Sequence, residues 1–300
     1  MVCRGQRAEG RGQSAESRAE KRRVMGEGRE EHPRSLDTCP APGPRRRLLW
    51  GATAGNAVGG IIILSSAKLM MTDTFGVTMP SMVDGAFAAG YVSALSLANM
   101  SGRLGWATVS DIIGRQPTML AFAVLGAPVC LAVPQLTSMA VADPTAIAPL
   151  AGFYGGTMLL ITMYGGVYAL LPAYAADIFG QKHVTAIFGR LMTAAPVAAL
   201  TGPVLLALLR AQSHSQHARQ LAESIDPAEF EATFGAPVTE LDALLETKVA
   251  NIQLLLQLTP PGTVDPTPFL YDSTMYTAAG IITAAGVCTM MIRAPGPEPK

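Results

Sequence analysis

Six long apolar runs constrain this chain more than any other feature of its sequence. Each run is long enough to cross a hydrocarbon core of ~30 Å as a helix that rises ~1.5 Å per residue. Lipid offers no hydrogen-bond partner to the backbone, so apolar runs of this length fold as helices. We therefore predict an all-α, multi-pass membrane domain over 48–293, with six spans at roughly 48–72, 81–101, 117–135, 146–174, 184–209 and 274–292.

The charged residues are distributed as such a domain requires. The chain holds 22 Lys and Arg and 22 Asp and Glu, but 19 of these charges precede residue 48 and only 10 fall within 48–209. The zero net charge is therefore an average over a polar tail and an apolar body. It gives no indication of nucleic-acid binding.

Two polar segments flank or interrupt the apolar body. Residues 1–47 are rich in Arg, Glu, Gly, Ser and Pro, and such a composition buries too little apolar surface to offset the entropy of ordering. We predict that 1–47 is a disordered cytoplasmic tail and that 294–300 is a second cytoplasmic tail. Residues 210–273 are predicted as a long extracytoplasmic loop with two short amphipathic helices, Asp226–Phe234 and Glu240–Gln257.

The loops between the spans predict the orientation, because Lys and Arg accumulate on the cytoplasmic side of a membrane protein. The loops 73–80 and 136–145 contain neither residue, so we place them outside. With both termini in the cytoplasm, the basic residues of the short loops and of the chain ends next to the spans fall on the inner side; these are Arg45–Arg47, Arg103, Arg115, Lys182 and Arg293.

Three charged residues lie in the short stretch Asn99–Gln116 between the second and third spans. Arg103 and Arg115 bracket it, Gly114 permits a tight turn, and Asp111 can accept backbone N–H bonds at a helix start. The pattern Gly-Arg-x-x-Trp-x-x-x-Ser-Asp-x-x-Gly-Arg resembles the signature loop of the major facilitator superfamily. The resemblance implies a gating loop that ties helix ends together, formed by Gly102, Arg103, Asp111, Gly114 and Arg115. The alternative is that these basic residues only anchor the loop on the cytoplasmic side of the membrane.

A weak internal repeat agrees with this resemblance. A shift of 104 residues brings the Asp-x-Phe-Gly at residue 73 onto the same sequence at residue 177, and Gly51 onto Gly155. The two segments cross the membrane in opposite directions in the predicted topology. Inverted three-helix units make up each half of major facilitator proteins. The resemblance thus implies a six-helix half of that fold, the C-terminal one.

No constellation of catalytic residues is found in the sequence. It contains no nucleophile paired with a base, no paired carboxylates, no phosphate-binding loop and no metal-ligand spacing, and its four cysteines are scattered. We predict a protein that is not an enzyme and that has no cofactor, no metal site and no nucleic-acid partner. A membrane pathway remains, and there the rare charges matter because burying a charge in lipid is costly.

Lys68 and Arg190 are the cations inside the predicted spans away from the signature stretch, and both are candidate substrate-binding residues. A guanidinium can grip a carboxylate with two hydrogen bonds, which favours Arg190. Lys68 lies near the outer end of its span, where snorkelling to the interface is the alternative. The segments around Lys68 and before Arg190 resemble the oxalate/formate antiporter branch, a relative of the monocarboxylate transporters. In that branch, cations facing a central cavity bind substrate carboxylates. The branch's arginine within the second span has no counterpart before Arg103.

Two classes of function follow. The first is transport of a small organic anion, a mono- or dicarboxylate, by alternating access, with this chain as one half of the transporter. Its partners are then the lipid bilayer, the anion, and a missing N-terminal six-helix half or a second half-subunit. The alternative is a membrane interaction or structural protein that does not transport, or a truncated fragment that retains the half-fold.

The predicted topology can be tested by cysteine accessibility in a chain whose own four cysteines are replaced. We expect single cysteines at Ser138 and Ser213 to react with an impermeant maleimide from outside. Cysteines at Ser35 and Lys182 should react only after the membrane is opened. Labelling of position 182 from outside would refute the topology.

Overall fold

The computed structural model describes residues 43–181, 184–247, 249–260 and 262–292, apart from the side chains of residues 242 and 246. These residues fold into helices joined by turns, with no strand among them. A π-helical turn, Thr72–Gly76, extends the first helix, and 3₁₀ turns lie at Val238–Glu240 and Thr267–Tyr271. In chain order the α-helices are α1 (Pro44–Met71), α2 (Gly85–Ile113), α3 (Arg115–Ala142), α4 (Ile147–Phe179), α5 (Val184–Leu191), α6 (Ala194–Glu223), α7 (Pro227–Phe234), α8 (Leu241–Glu246), α9 (Ile252–Leu258) and α10 (Asp272–Met290).

Four helical segments among the described residues are long and apolar enough to cross a membrane, namely Pro44–Gly76, Arg115–Ala142, Ile147–Phe179 and Val184–Glu223. The other two expected spans are also helices, α2 with 29 residues and α10 with 19. The exposed side of α2 carries several polar groups, Ser93, Ser96, Ser101, Arg103 and Thr108, which lower its hydropathy. The all-α fold is confirmed, and the count of six spans stays a prediction.

Helices α2 and α4 approach until their backbones touch. A Cβ atom on Gly102 of α2 would lie 2.2 Å from the carbonyl oxygen of Thr162, and one on Gly165 of α4 would lie 2.3 Å from that of Asn99. Trp106 Nε1 donates a hydrogen bond of 3.1 Å to Thr162 Oγ1 beside this contact. Small residues allow such an approach in membrane proteins, where van der Waals packing drives helix association.

Helix α10 packs against α3 in a similar way. A Cβ on Gly286 would lie 2.6 Å from the Cβ of Ala123. At the end of α10 the Gln116 amide donates a hydrogen bond of 2.8 Å to the carbonyl oxygen of Ile292. Ile292 lies two residues beyond the end of α10, so this bond ties the chain just after that helix to the start of α3.

The stretch predicted as a gating loop is mostly helix, which corrects the sequence-based expectation. Helix α2 continues through Gly102 and Arg103 to Ile113, and the turn into α3 consists of Gly114 alone, at φ 96°. Only this positive φ, which glycine adopts without steric cost, ends the helix. Asp111 lies in the last turn of α2 and not at a helix start.

Several predicted boundaries also change. Helix α1 begins at Pro44, a residue suited to the first helical position, so Arg45–Arg47 belong to the helix and not to the tail. Helix α6 continues to Glu223, well past the expected end of the fifth span at 209. The rest of the predicted tails, 1–42 and 294–300, lies outside the described residues, as do Lys182 and Arg293.

The segment that follows α6 folds against the helix bundle. Asp226 accepts a hydrogen bond of 3.0 Å from the Ala228 amide at the start of α7, which confirms the first amphipathic helix. The second expected helix is divided into α8 and α9. Leu255 of α9 is fully buried, and α9 contacts α6. Ser213, proposed above for labelling, is 4% exposed, so position 138 is the better outside probe.

The α2–α4 contact can be tested with two glycines of one helix. Gly102→Ala places a methyl group against the backbone of Thr162, while a Cβ on Gly105 would meet nothing within 4 Å. We expect Gly102→Ala to lower the free energy of unfolding by about 1–3 kcal/mol, the usual cost of overpacking. Gly105→Ala should leave it unchanged or raise it slightly. The measurement is unfolding in mixed dodecyl maltoside and dodecyl sulfate micelles, and equal effects would contradict the contact.

Candidate anion sites

Arg103 lies inside a helix and not at the end of one. Helix α2 continues for ten residues beyond it, so Arg103 stands ~15 Å from the helix end at the usual rise per residue. Its side chain is exposed, and its neighbour Gly102 touches the backbone of α4 at Thr162, two residues before Tyr164 and six before Tyr168. We call Arg103, Tyr164 and Tyr168 the Arg103 group. It combines one cation with two hydroxyl groups on neighbouring helices.

Close helix packing holds the Arg103 group in place. The Tyr164 ring lies on Gly60 of α1, where an added Cβ would come within 2.5 Å of the ring. The rings of Tyr164 and Tyr168 meet edge to face, with centroids 5.4 Å apart. Gly102, the neighbour of Arg103, touches the backbone of α4. The same helix contacts therefore set the backbone position of Arg103 and the places of the two tyrosine rings.

Arg115 joins the ends of three helices. Its guanidinium pairs with Asp111 of α2 at 2.5 Å and with Asp177 of α4 at 3.8 Å, and it also donates to Ser110 Oγ. Both carboxylates are more than 60% exposed, and exposed ion pairs contribute only about 0–1 kcal/mol. This cluster therefore orients helix ends around the Gly114 turn more than it stabilises the fold.

Lys68 lies beside an exposed groove of about 560 Å³ between α1, α2 and α6. Its walls combine apolar side chains with three hydroxyl groups and a second cation, Arg210. They include Leu64, Ser65, Ser66, Thr72, Val92 and Leu206. Such a lining can accommodate an anion with a short apolar body.

Arg210 is held by a cluster at the edge of this groove. Its Nη2 donates to Asp73 Oδ2 at 2.8 Å, and the Tyr271 hydroxyl donates to the same oxygen at 2.8 Å. The guanidinium also lies 5.6 Å from the centre of the Tyr271 ring. Because Asp73 is on the π-helical turn after α1 and Tyr271 precedes α10, the cluster ties three elements together. The sequence analysis missed Arg210 because it ended the fifth span one residue earlier.

Arg190 lies in the last turn of α5, beside a pocket of about 390 Å³ at the start of α1. Trp50 Nε1 donates a hydrogen bond of 3.0 Å to Thr193 Oγ1 there, which joins α1 to the break between α5 and α6. The pocket is lined by Arg46, Arg47, Trp50, Arg190, Leu191 and Thr193. Arg190 is therefore one of several cations at a helix end.

The structure does not bring the two candidate substrate-binding residues together. Arg47 lines the pocket of Arg190, and it precedes Lys68 by 21 residues on α1. At the helical rise this separation is ~32 Å. One small anion cannot contact Lys68 and Arg190 at once.

Metal chemistry has no visible site among the described residues. No group of three or more His, Cys, Asp or Glu side chains in them is arranged to hold a metal ion. Cys130 is buried and Cys288 partly buried, and both are free thiols.

Comparison with known proteins finds a partial similarity to an antiporter. The chain is 30% identical over 159 residues to the oxalate:formate antiporter of Oxalobacter formigenes. The aligned residues are 53% of this chain and 34% of that protein, so the chain spans about a third of the relative's length. No protein-family profile matches the chain. The chain is thus similar to part of an antiporter, and its described residues include four helices that are long and apolar enough to cross a membrane.

The Asp73 cluster predicts a measurable contribution to stability. Tyr271→Phe removes one donor to Asp73 Oδ2 but keeps the aromatic ring under Arg210. We expect the free energy of unfolding to fall by about 1 kcal/mol or more, because the bond is to a charged group. Tyr276→Phe, at an exposed tyrosine of α10, is the matched control. Equal unfolding curves for the two variants in mixed micelles would show that the bond contributes nothing.

Proposed function

We propose that this chain is one half of a membrane transporter that moves a small organic anion, a mono- or dicarboxylate, by alternating access. In this proposal it is a C-terminal six-helix half of the major facilitator superfamily, in the oxalate/formate antiporter-like branch. The similarity to an antiporter supports the proposal, and the aligned residues make up 34% of that antiporter. The remaining wall of the pathway then comes from an N-terminal six-helix half or from a second half-subunit.

The Arg103 group carries this proposal. Arg103 is exposed and lies ~15 Å from the end of α2, so its guanidinium is open to an anion that enters beside this helix. Arg103 can form two parallel hydrogen bonds to one carboxylate. The Tyr164 and Tyr168 hydroxyl groups can donate to the free lone pairs of the same oxygens or to a second carboxylate of the anion. The site thus selects for a compact anion with more than one acceptor. This assigns to Arg103 a substrate role that the sequence analysis gave to other cations.

Lys68 and Arg190 have a different role in the proposal. The pocket of Arg190, which Arg47 also lines, lies ~32 Å from Lys68 along α1, so each cation meets the anion at one mouth of the pathway and not in its middle. Lys68 acts with Arg210 in the outer groove, and Arg190 acts in the pocket at the start of α1. A cation at each mouth raises the local concentration of anions.

The Arg115 cluster supplies the gating part of the proposal. In one access state, Arg115 holds Asp111 and Asp177, which fixes the end of α2 against the end of α4. Exposed ion pairs of about 0–1 kcal/mol break and form again readily. Gly114, at a positive φ, leaves the turn between α2 and α3 free to change conformation when these ion pairs break. Of the five signature residues, Asp111, Gly114 and Arg115 therefore act in gating. Gly102 instead positions α2 against α4.

The alternative is a membrane protein that interacts with other proteins but does not transport. Uptake by a twelve-helix fusion distinguishes the two functions. The isolated chain would accumulate stably, and joining it to a second six-helix half would confer no uptake of labelled carboxylates in proteoliposomes. Uptake that appears only in the twelve-helix fusion, and not with the 300-residue chain alone, would exclude this alternative.

Variants of Arg103 in that fusion test the substrate site. We expect Arg103→Gln to reduce dicarboxylate uptake at least about a hundredfold, since one charge-assisted bidentate contact is worth several kcal/mol. Arg103→Lys keeps the charge but loses the fork, so KM should rise about tenfold. Arg190→Gln, at a mouth, should raise KM and leave kcat unchanged.

Arg45→Gln is the matched control because Arg45 is exposed and lines neither pocket. Normal uptake by Arg103→Gln at equal membrane insertion would refute the Arg103 site. Normal uptake by Arg190→Gln would remove Arg190 from the pathway.

A further inference from the structure

Three arginines line the pocket at the start of α1. Arg46 and Arg47 come from α1 and Arg190 from α5, and no lining residue is acidic. Within the described part of the chain, none of the three takes part in an ion pair. Like charges around about 390 Å³ repel one another. An anion in the pocket would convert this repulsion into attraction.

The pocket is fixed by hydrogen bonds between helices. Trp50 Nε1 donates to Thr193 Oγ1 at 3.0 Å, and Thr193 Oγ1 donates to the Arg190 carbonyl oxygen at 2.7 Å. Leu191, next to Arg190, is fully buried. The break between α5 and α6 is thereby held against α1, so the backbones that carry these arginines stay together without a ligand.

The position of the pocket points to a membrane lipid. It lies where the charged start of α1 gives way to its apolar body, and Trp50, half-buried at this level, is a residue type that anchors at the membrane interface. Arginine binds phosphate oxygens through two parallel hydrogen bonds. Basic pockets between transmembrane helices are a common geometry for lipid headgroups.

We propose that this pocket binds a phosphate group, carried by an anionic phospholipid of the bilayer. The headgroup phosphate lies among Arg46, Arg47 and Arg190, and the acyl chains extend along the apolar surface beyond Trp50. This binding does not rest on the transport function, because a chain that moves no solute would hold the same headgroup. In a transporter, the lipid phosphate would compete with the substrate for Arg190.

Trp50 provides a direct probe of occupancy. The chain has two tryptophans, so Trp106→Phe leaves Trp50 as the sole fluorophore of the full-length chain. In nanodiscs, brominated phosphatidylglycerol should quench Trp50 at about a tenfold lower mole fraction than brominated phosphatidylcholine. Arg46→Gln and Arg190→Gln should each abolish this preference of about tenfold, since each deletes a charge-assisted contact. Arg45→Gln, in the same helical turn but outside the pocket, should retain it.

Two further arms complete the test. Native mass spectrometry of the unmodified chain should show a retained phosphatidylglycerol that Arg190→Gln loses, which keeps the test independent of the Trp106→Phe background. Millimolar inorganic phosphate should reverse the quenching only weakly if the lipid is the source. Equal quenching by the two lipids, or quenching unaffected by Arg46→Gln and Arg190→Gln, would overturn the proposal. Tight binding of inorganic phosphate without any lipid preference would overturn the lipid assignment.

Discussion

The backbone contact between α2 and α4 is the constraint on which the candidate site depends. Gly102 and Gly165 bring the two helices so close that a methyl group at either position would overlap the opposite backbone. In lipid, where apolar burial does not favour one helix contact over another, such packing determines which helices associate. The same contact holds the backbone next to Arg103 against the part of α4 that carries Tyr164 and Tyr168, so the proposed anion site depends on two glycines.

The charges of the helical body fall into three kinds of environment. Arg115 and Arg210 are paired with carboxylates at helix ends, where they connect neighbouring elements. Arg103 is exposed within a helix beside two phenols, which suits a ligand that enters and leaves. Arg46 and Arg190 line a pocket without an acidic residue. Since an uncompensated cation near lipid is costly, the unpaired groups are the ones expected to bind external anions.

Sequence reasoning identified the signature stretch but not the role of its first arginine. It read Arg103 as part of a loop because charge between two apolar runs is typical of one. Helix α2 crosses that charge without interruption, since nothing before Gly114 breaks a helix. Arg190 and Lys68 were singled out as cations within spans, yet the break after α5 and the end of α1 place both near helix termini. Arg210 was missed because a helix end is poorly defined by hydropathy alone.

The sequence by itself determined that this chain is all-helical and has long apolar helices, because span length and hydropathy are local properties that no distant residue can change. It also located the tight turn at Gly114, which depends on one backbone conformation. Only the tertiary structure decided which charges meet. Asp73 joins Arg210 from 137 positions away and Tyr271 from 198, and such pairings depend on helix packing, which side-chain shapes across the whole bundle control.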